Sequence, residues 1–260
     1  MTRRQALGQH FLRDATIARA IVELVAPRAS DLVVEIGPGA GALTGLLAER
    51  AGRVIALEVD RVLGAELRAR LPGVEVLDAD ARSWDYAALA APPDGRVLIV
   101  GNLPYSVGKP ILMALIGART AIDEMALMLQ REVAERVAAP PGGKAYGSLS
   151  VFVQLYCDVR VAIRVPPGAF RPPPKVESAV LHLRALREPR VPLADAGRFE
   201  RVVRAAFAQR RKMLANALAA GLGLPLDAVR RAAAAAGVDP TRRAETLTLL
   251  EFAQLTTRLS

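Results

Sequence analysis

The chain has 260 residues, of which 52% are hydrophobic, enough for one large domain and a small one around a substantial core. The formal net charge of +9 is unevenly distributed: residues 1–158 hold 17 basic and 18 acidic residues, whereas residues 159–260 hold 18 and 8. An excess of cations confined to the C-terminal part predicts a polyanionic partner for that part.

Several classes of protein are disfavoured by what the sequence lacks. Cys157 is the one cysteine, so an intrachain disulfide is excluded, which fits a reducing cytoplasm. The two histidines, His10 and His182, form no cluster with it, so we expect no metal site. The longest uncharged stretch, Met213 to Leu226, has 14 residues and is too short to span a bilayer. The N-terminus has no apolar core of a signal peptide. We therefore expect the protein to be cytoplasmic and not associated with a membrane.

The N-terminal part alternates between strand and helix patterns. An amphipathic helix is predicted from Asp14, a candidate N-cap, to about Ala26. Short apolar runs then predict strands at Leu32–Ile36, Arg53–Glu58, Val74–Leu77, Arg96–Val100 and Met125–Gln130. Helical patterns lie between them at Ala42–Ala51, Arg61–Leu71 and Val107–Ile116. This alternation is typical of βαβ units and predicts a parallel sheet.

The pattern changes towards the C-terminus. After an exposed loop at Pro140–Gly143, the sequence predicts a helix at Ser148–Tyr156 and two strands, Val161–Val165 and Ala179–Leu186, that complete the sheet as an antiparallel pair. Beyond about Arg187 the periodicity is helical, with patterns at Arg198–Leu218, Leu226–Ala236 and Glu245–Leu259. We therefore predict two domains, residues 1–186 and residues 187–260.

A glycine-rich turn follows the first predicted strand and suits a nucleoside-containing ligand. Gly37 and Gly39 let the backbone approach a ligand closely, and Glu58, at the end of the next strand, is where a carboxylate would hold ribose hydroxyls. The spacing also satisfies the relaxed dinucleotide fingerprint, so a nicotinamide dehydrogenase stays an alternative. Pro38 removes a donor that a pyrophosphate would use, and Glu35 suits an amino group better than phosphates. Both features favour S-adenosylmethionine, whose tail is cationic and carries no phosphate.

An acidic residue follows the third predicted strand, where the adenine N6 of such a cofactor would need an acceptor. Asp78 and Asp80 are both near this position. We favour Asp80 because it falls beyond the strand end, and the alternative is an ordinary solvated turn residue.

The tetrapeptide Asn102-Leu103-Pro104-Tyr105 ends the fourth predicted strand and is suited to methylating an exocyclic amine on a base. That amine is a poor nucleophile, because its lone pair is delocalised into the ring. An Asn side-chain oxygen and a nearby backbone carbonyl can accept its two N–H bonds and free the lone pair. Pro104 stiffens the loop, and Tyr105 offers a ring on which a flipped base can stack. An ordinary turn is the alternative, since Asn and Pro are common turn residues.

Taken together, these elements resemble the ribosomal small-subunit RNA adenine dimethyltransferases over nearly the whole chain. The resemblance rests on the segments Leu7–Leu12, Gly37–Gly41, Glu58, Asp80-Ala81, Asn102–Tyr105, Pro167–Ser178 and Ala206–Leu214. It implies an α/β fold, with a Rossmann-like S-adenosylmethionine-dependent methyltransferase sheet and a small C-terminal all-helical domain. It also implies transfer of four methyl groups from S-adenosylmethionine to N6 of two adjacent adenines near the 3′ end of small-subunit rRNA, within an assembling subunit. We expect the protein itself to be a monomer.

The resemblance also implies roles for individual residues. The cofactor is expected to contact His10, Leu12, Gly37, Glu58, Asp80 and Asn102. His10 stands where many relatives have Asn, and an imidazole can still donate to a carboxylate or a ribose. The flipped adenine is expected between Tyr105 and Phe170, although a phenylalanine beside a proline run is more often a core residue. Arg210, Arg211 and Lys212 are expected to face rRNA phosphates.

Three other functions remain open from the sequence. The nearest keeps the chemistry and changes the RNA: a large-subunit rRNA adenine methyltransferase of the macrolide-resistance type. The second is a non-catalytic assembly factor that binds the ribosomal particle, and the third is the dehydrogenase. The intact Asn102–Tyr105 segment argues against lost catalysis. The predicted Gln209–Leu214 helix and the full Leu7–Leu12 hexapeptide favour the small subunit.

Overall fold

A computed structural model describes residues 10–259; the first three residues of the Leu7–Leu12 segment lie outside the described residues. The chain forms two compact units. One contains the chain up to Ala134 together with Asp158–Arg187, and the other contains Glu135–Cys157 together with the chain from Glu188 onward. The division into residues 1–186 and 187–260 stays a prediction.

The secondary structure follows the expected alternation of strands and helices. The strands are β1 (Phe11–Leu12), β2 (Leu32–Ile36), β3 (Arg53–Glu58), β4 (Glu75–Asp78), β5 (Val97–Asn102), β6 (Glu124–Gln130), β7 (Cys157–Val165), β8 (Phe170–Arg171) and β9 (Ser178–Ala185). The helices are α1 (Ala15–Val25), α2 (Thr44–Ala48), α3 (Arg61–Arg70), α4 (Gly108–Gly117), α5 (Arg131–Ala138), α6 (Ser148–Tyr156), α7 (Ala196–Ala208), α8 (Leu214–Leu222), α9 (Leu226–Ala235) and α10 (Leu249–Arg258). Asp14 caps α1 as predicted, because its side chain accepts the backbone N–H groups of Thr16 and Ile17.

The first unit is built on a mixed sheet with the strand order β4-β3-β2-β5-β6-β9-β7. In this order the strands β4, β3, β2, β5 and β6 are mutually parallel, and β9 pairs antiparallel with β6. This arrangement confirms the α/β fold class. Successive strands are added outward from the β2–β5 pair in opposite directions: β3 and β4 lie on the side of β2, and β6 lies on the side of β5. Ligands of such sheets bind beyond the carboxyl ends of the strands at this switch point.

The central parallel strands are mostly apolar because both of their faces are covered. In β5, Val97 to Val100 are fully buried, and in β2 Val33 and Val34 are equally inaccessible. A hydrophobic cluster joins these strands to α1 and to the short strands β1 and β8. The apolar runs of the sequence therefore predicted β2 and β3 at the bounds that the structure gives them.

The helical pattern Arg198–Leu218 is wrong as a single helix, because the structure divides it into α7 and α8. Gln209 leaves the helical conformation with φ −125° and ψ 74°, and residues 209–212 form a turn. The first free N–H groups of α8 are satisfied by a distant segment: Leu214 N donates to the Arg242 carbonyl and Ala215 N to the Pro240 carbonyl. These contacts join residues far apart in the chain, so local periodicity did not reveal the break.

A two-stranded ladder between β1 and β8 was not predicted from the sequence. Phe11 pairs with Arg171 and Leu12 with Phe170, in antiparallel register, and Arg13 N donates to the Ala169 carbonyl. Strands of two residues carry no detectable periodicity. The ladder fixes the position of His10, which immediately precedes it.

A buried ion pair joins the starts of β2 and β5, at the end of the sheet away from the switch point. Asp31 is 1% exposed and accepts from Arg96 N (2.8 Å), Arg96 Nη2 (2.7 Å) and Arg28 N (3.0 Å). Burial alone would raise the pKa of the Asp31 carboxyl, but hydrogen bonds from Arg96 and Arg28 outweigh it and hold the pKa below its usual value.

We expect Asp31→Asn to lower the free energy of unfolding at pH 7 by about 3 kcal/mol, the lower end of the cost of breaking a buried pair, since Arg96 keeps a second partner in Glu124. Because the folded-state pKa of Asp31 is depressed, its contribution is present at neutral pH and lost as the pH falls below about 4. Urea unfolding of both proteins at pH 7 and at pH 4 and below measures this. Equal stabilities at pH 7, or a difference that persists undiminished in acid, would contradict the assignment.

Candidate active site

A cavity of about 300 Å³ opens beyond the carboxyl ends of β2, β3 and β5. The residues predicted to bind the cofactor line it together with the tetrapeptide: His10, Leu12, Gly37, Gly39, Glu58, Asp80, Asn102, Leu103, Pro104 and Tyr105. The cavity therefore brings together residues that are up to 95 positions apart in the chain.

The glycine loop forms the floor of this cavity. Gly37 and Gly39 have φ values of +66° and +55°, a left-handed conformation that side chains rarely tolerate. A Cβ at Gly39 would also lie 2.9 Å from Cδ1 of Phe11, so β1 can cross the loop only because this residue is glycine. Gly37 N donates to the Leu57 carbonyl at 3.0 Å and ties the loop to β3.

Glu58 connects the end of β3 to the glycine loop. Its side chain is 3% exposed; Oε2 accepts from Gly39 N at 3.0 Å and Oε1 from Asp60 N at 2.9 Å. Burial raises the pKa of this carboxyl, and the backbone N–H donors partly oppose the rise. A carboxylate held at both oxygens is fixed in orientation, as binding a ribose diol requires.

Glu35 is the most deeply buried acid of the cavity wall, at 1% exposed. Its Oε2 has no hydrogen-bond partner among the described residues. Burial raises the pKa of Glu35 to about 7; the nearby Thr44 hydroxyl opposes the rise and the Glu58 carboxylate adds to it. This wall of the cavity is therefore suited to a cationic group and not to phosphates.

Asp80 already has a cationic partner, which the sequence interpretation missed. Arg82 donates to it from the guanidinium, at 2.6 Å between Nη2 and Oδ2, and from the backbone N at 2.9 Å. These hydrogen bonds hold the pKa of Asp80 below its usual range. An adenine amino group at this carboxylate must share it with Arg82, which also lines the cavity.

The Asn102 side chain is oriented by the backbone of the N-terminal segment. Its Nδ2 donates to the His10 carbonyl at 2.9 Å. Leu103 N donates to the Met128 carbonyl, and the Pro104 carbonyl accepts from Val107 N, so the loop is held from both sides. No described residue donates to Asn102 Oδ1 or to the Leu103 carbonyl. Both residues line the cavity, so it has two acceptors without a partner among the described residues, the number that an exocyclic amine needs.

Tyr105 is held in place by contacts at its hydroxyl and at its ring. The hydroxyl is 2.6 Å from Ser178 Oγ, and the ring lies 5.7 Å from the His10 ring at an interplanar angle of 32°. His10 is itself fixed, because its Nδ1 donates to the Pro172 carbonyl at 2.7 Å. Burial raises the pKa of Tyr105, partly opposed by Ser178, so the phenol is neutral at physiological pH.

Phe170 does not line the cavity. It is 4% exposed and lies in the hydrophobic cluster of the first unit, paired with Leu12 across the β1–β8 ladder. This is the packing expected of a core phenylalanine. Its role as the second face of a base sandwich stays a prediction.

The three cations predicted to bind RNA lie in the second unit, in the turn between α7 and α8, and all are exposed. Arg210 is engaged by Glu245 at 3.4 Å and by the Lys144 carbonyl. No described residue bonds to the side chains of Arg211 or Lys212. These two are therefore the ones available to phosphates without breaking an existing contact.

Two further properties concern residues 10–259. They contain no group of three or more His, Cys, Asp or Glu side chains placed to hold a metal ion. Among the helices described there, none combines the length and the apolar character needed to cross a bilayer.

The sheet order and the glycine loop are those of Rossmann-like S-adenosylmethionine-dependent methyltransferases. The cavity fits that cofactor: Gly39 allows close approach, Glu58 is fixed in orientation as a diol requires, and Glu35 lines the wall with an oxygen that has no partner among the described residues. The family model for ribosomal RNA adenine dimethylase matches residues 1–260. The chain belongs to this family.

Relatives and solved structures agree with this assignment. The chain is 45% identical to the ribosomal RNA small subunit methyltransferase A of Geobacter sulfurreducens, over 97% of this chain and 94% of that protein. A dimethyladenosine transferase from Plasmodium falciparum has a similar crystal structure, with 25% identity, a TM-score of 0.79 and coverage of 95% and 96%. The 23S rRNA methyltransferase ErmE is 29% identical, with a TM-score of 0.72 and coverage of 96% and 99%.

We expect Glu58→Ala to weaken binding of S-adenosylmethionine by about 1.5–3 kcal/mol, because a charge-assisted hydrogen bond to the ribose is lost. Since Glu58 also anchors Gly39 and Asp60, a modest fall in melting temperature should accompany it. Calorimetric titration measures the affinity, and RNA binding by the same preparation is the control, which should barely change. An unaltered cofactor affinity would remove Glu58 from the site.

Proposed function

We propose that this protein transfers methyl groups from S-adenosylmethionine to N6 of two adjacent adenines near the 3′ end of small-subunit rRNA, four groups in all. The observation that supports this best is a pair of acceptors without a partner among the described residues, Asn102 Oδ1 and the Leu103 carbonyl, in residues that line a cavity suited to that cofactor. Family membership and the 45% identity to a small-subunit methyltransferase support the choice of substrate.

The residues of this chain make the amine reactive by binding its hydrogens. When bound, S-adenosylmethionine supplies a methyl group on a sulfonium that is already strongly electrophilic. Asn102 Oδ1 and the Leu103 carbonyl accept the two N6–H bonds, which draws the nitrogen towards tetrahedral geometry and frees its lone pair. The protein then contributes alignment and exclusion of water. The nitrogen becomes acidic once it carries the new methyl group, so its proton can leave without a dedicated base.

Dimethylation places an additional demand on the same acceptors. A monomethylated amine has a single N–H, so only one of the two acceptors is used in the second transfer. The other side must admit a methyl group, and the pocket beside Asn102 therefore has to be open on one side. The accessible face of Asn102, which is only partly buried, suits this requirement.

The small subunit is favoured over the large one by degree of similarity. Identity to the small-subunit relative is 45% over 97% of this chain, against 29% to the 23S rRNA enzyme over 96% of it. We further propose that the protein acts as a monomer, without a metal or a membrane, on rRNA within the assembling small subunit, and that it works in the cytoplasm.

Methyl transfer to purified ribosomal particles tests the function directly. Small and large subunits are prepared from cells lacking this modification and incubated with the protein and methyl-labelled S-adenosylmethionine. We expect label in small subunits only, in two adjacent N6,N6-dimethyladenosines. Label confined to large subunits would establish the macrolide-resistance alternative, and binding without label would establish a non-catalytic assembly factor.

If Tyr105 stacks on the flipped adenine, Tyr105→Ala should lose about 1–3 kcal/mol of stacking, felt mainly in single-turnover methylation. Tyr105→Phe keeps the ring but loses the hydroxyl contact with Ser178, so it should retain most of the activity. Ser178→Ala is the matched control, since it removes the same contact from the other side. Cofactor affinity should be nearly equal in all four proteins. The stacking role would be excluded if Tyr105→Ala methylated at the parental rate. It would also be excluded if Tyr105→Phe were as inactive as Tyr105→Ala.

For RNA binding, we expect the double substitution of Arg211 and Lys212 by Ala to weaken binding to the small subunit. The slope of log affinity against log salt should shrink by roughly 0.7–0.9 for each lost phosphate contact. The double substitution of Arg230 and Arg231, an exposed pair in α9, removes the same charge elsewhere in the second unit and serves as the control. Equal changes in both proteins would point to net charge alone, and an unaltered slope in the first would leave Arg211 and Lys212 as solvated side chains.

A further inference from the structure

The side chain of Arg70, the last residue of α3, is bonded to the glycine loop that lies 30 positions earlier in the chain. Its Nη2 donates to the Ala40 carbonyl at 2.6 Å, although the residue itself is exposed. The guanidinium lies directly against Gly41, where an added Cβ would be 2.4 Å from Nη2 of Arg70 and 2.9 Å from Cδ1 of Leu67. The loop can receive this arginine only because residue 41 is a glycine.

Gly41 is required by the conformation of the turn and by this contact, and not by the cavity. Of residues 37–43, all within the described part of the chain, Gly41 is the one that does not line the cavity. Its φ of +80° suits a glycine, and its N–H is already bonded to the Pro38 carbonyl at 2.8 Å. The third glycine of the turn therefore makes room for Arg70 outside the cavity.

Arg70 supports the part of the loop that has the fewest other contacts. The first half of the loop is bonded to β3 through the N–H groups of Gly37 and Gly39. Beyond Gly39 the chain turns into α2, and no described side chain caps the start of that short helix. The cavity wall continues through this turn, from Ala40 to Leu43. The hydrogen bond from Arg70 ties this second half of the loop to a neighbouring helix.

The helix α3 is itself held at both ends, so it can serve as the support. Asp60 caps its start by accepting backbone N–H groups of the first turn, and Asp60 N donates to Glu58 Oε1 at 2.9 Å. Near its end, Arg68 Nε donates to the Val76 carbonyl of β4 at 3.0 Å. The helix therefore links the acid predicted to bind ribose with the end of the glycine loop.

We propose that Arg70 is a positioning residue: by holding the Ala40 carbonyl from outside, it keeps the cavity wall between Ala40 and Leu43 in the conformation that receives S-adenosylmethionine. The proposal rests on the proposed function, because it takes that cofactor as the ligand. Arg70 does not line the cavity, so it acts through the loop and not on the ligand. A loop that is ordered beforehand spares the ligand the cost of ordering it. Arg70 should therefore affect cofactor affinity and leave the rate at saturating cofactor unchanged.

Calorimetric titration with S-adenosylhomocysteine, which has no methyl group to donate, measures this affinity directly. We expect Arg70→Ala to bind it about three- to tenfold more weakly, since a charge-assisted hydrogen bond is lost at an exposed site. Arg70→Lys keeps a cationic donor on a long side chain and should recover part of the affinity. Arg53→Ala is the matched control, because it removes an exposed arginine that is paired with Glu75 at the start of β3, and it should bind as the parent does.

Two further measurements separate positioning from a general loss of structure. For Arg70→Ala, the kcat for methylation of small subunits should equal that of the parent, while the KM for the cofactor rises with the dissociation constant. The melting temperature without ligand should match that of Arg53→Ala. An affinity equal to that of the parent would overturn the proposal, and so would a weaker affinity accompanied by equal losses of kcat and melting temperature. A parent that binds no S-adenosylhomocysteine would overturn the proposed function as well.

A double-mutant cycle between Gly41 and Arg70 tests the contact itself. Gly41→Ala places a methyl group where the guanidinium lies, so in the parent it should displace Arg70 and weaken binding of S-adenosylhomocysteine. In Arg70→Ala the same substitution meets no guanidinium and should weaken binding by a smaller factor. The backbone strain at residue 41 and the contact with Leu67 are common to both backgrounds and cancel in the comparison. Equal factors in the two backgrounds would overturn the proposal.

Discussion

The parallel pairing of β2 with β5 is the constraint on which the rest of the site depends. In this register Ile36 lies beside Gly101, so the glycine loop and Asn102 leave the sheet side by side at the switch point. A Cβ at Gly37 would lie 3.6 Å from the Asn102 carbonyl, which shows how closely the two segments pass. An in-line methyl transfer needs the donor and the acceptor within contact distance, and two adjacent parallel strands provide that without a mobile element.

The electrostatics of the cavity follow from what the same strands carry at their ends. β2 places Glu35 and β3 places Glu58 at the cavity wall, and burial disfavours the ionised form of both. A cavity that carries two buried carboxyls and a glycine turn selects a ligand with hydroxyls and a cation and disfavours a pyrophosphate. This is the physical basis for choosing S-adenosylmethionine over a nicotinamide dinucleotide.

The substrate side of the cavity depends on long-range contacts of the N-terminal segment. The His10 carbonyl orients the Asn102 amide, and the His10 ring lies next to Tyr105. The β1–β8 ladder holds this segment in place, and the Ser178 hydroxyl holds the other end of Tyr105. The tetrapeptide proposed to be catalytic is therefore positioned by the N-terminal segment and by Ser178.

The sequence by itself determined the elements whose signal is local. Continuous apolar runs identified the parallel strands, because strands covered on both faces have no polar side. The glycine turn and the Asn102–Tyr105 segment could be identified from the sequence because the functions proposed for them require particular residue types at fixed spacing. The tertiary structure alone decided which partners complete the site: Arg82 on Asp80, Ser178 on Tyr105, and the β1–β8 ladder.

The same distinction explains the place where the sequence interpretation and the structure differ most. The helical pattern across Gln209 is interrupted because the start of α8 bonds to the carbonyls of Pro240 and Arg242. The periodicity of a sequence indicates only which side chains are buried and which local conformation neighbouring residues share. Hydrogen bonds between segments tens of residues apart are set by the packing of the whole unit, and only the tertiary structure contains them.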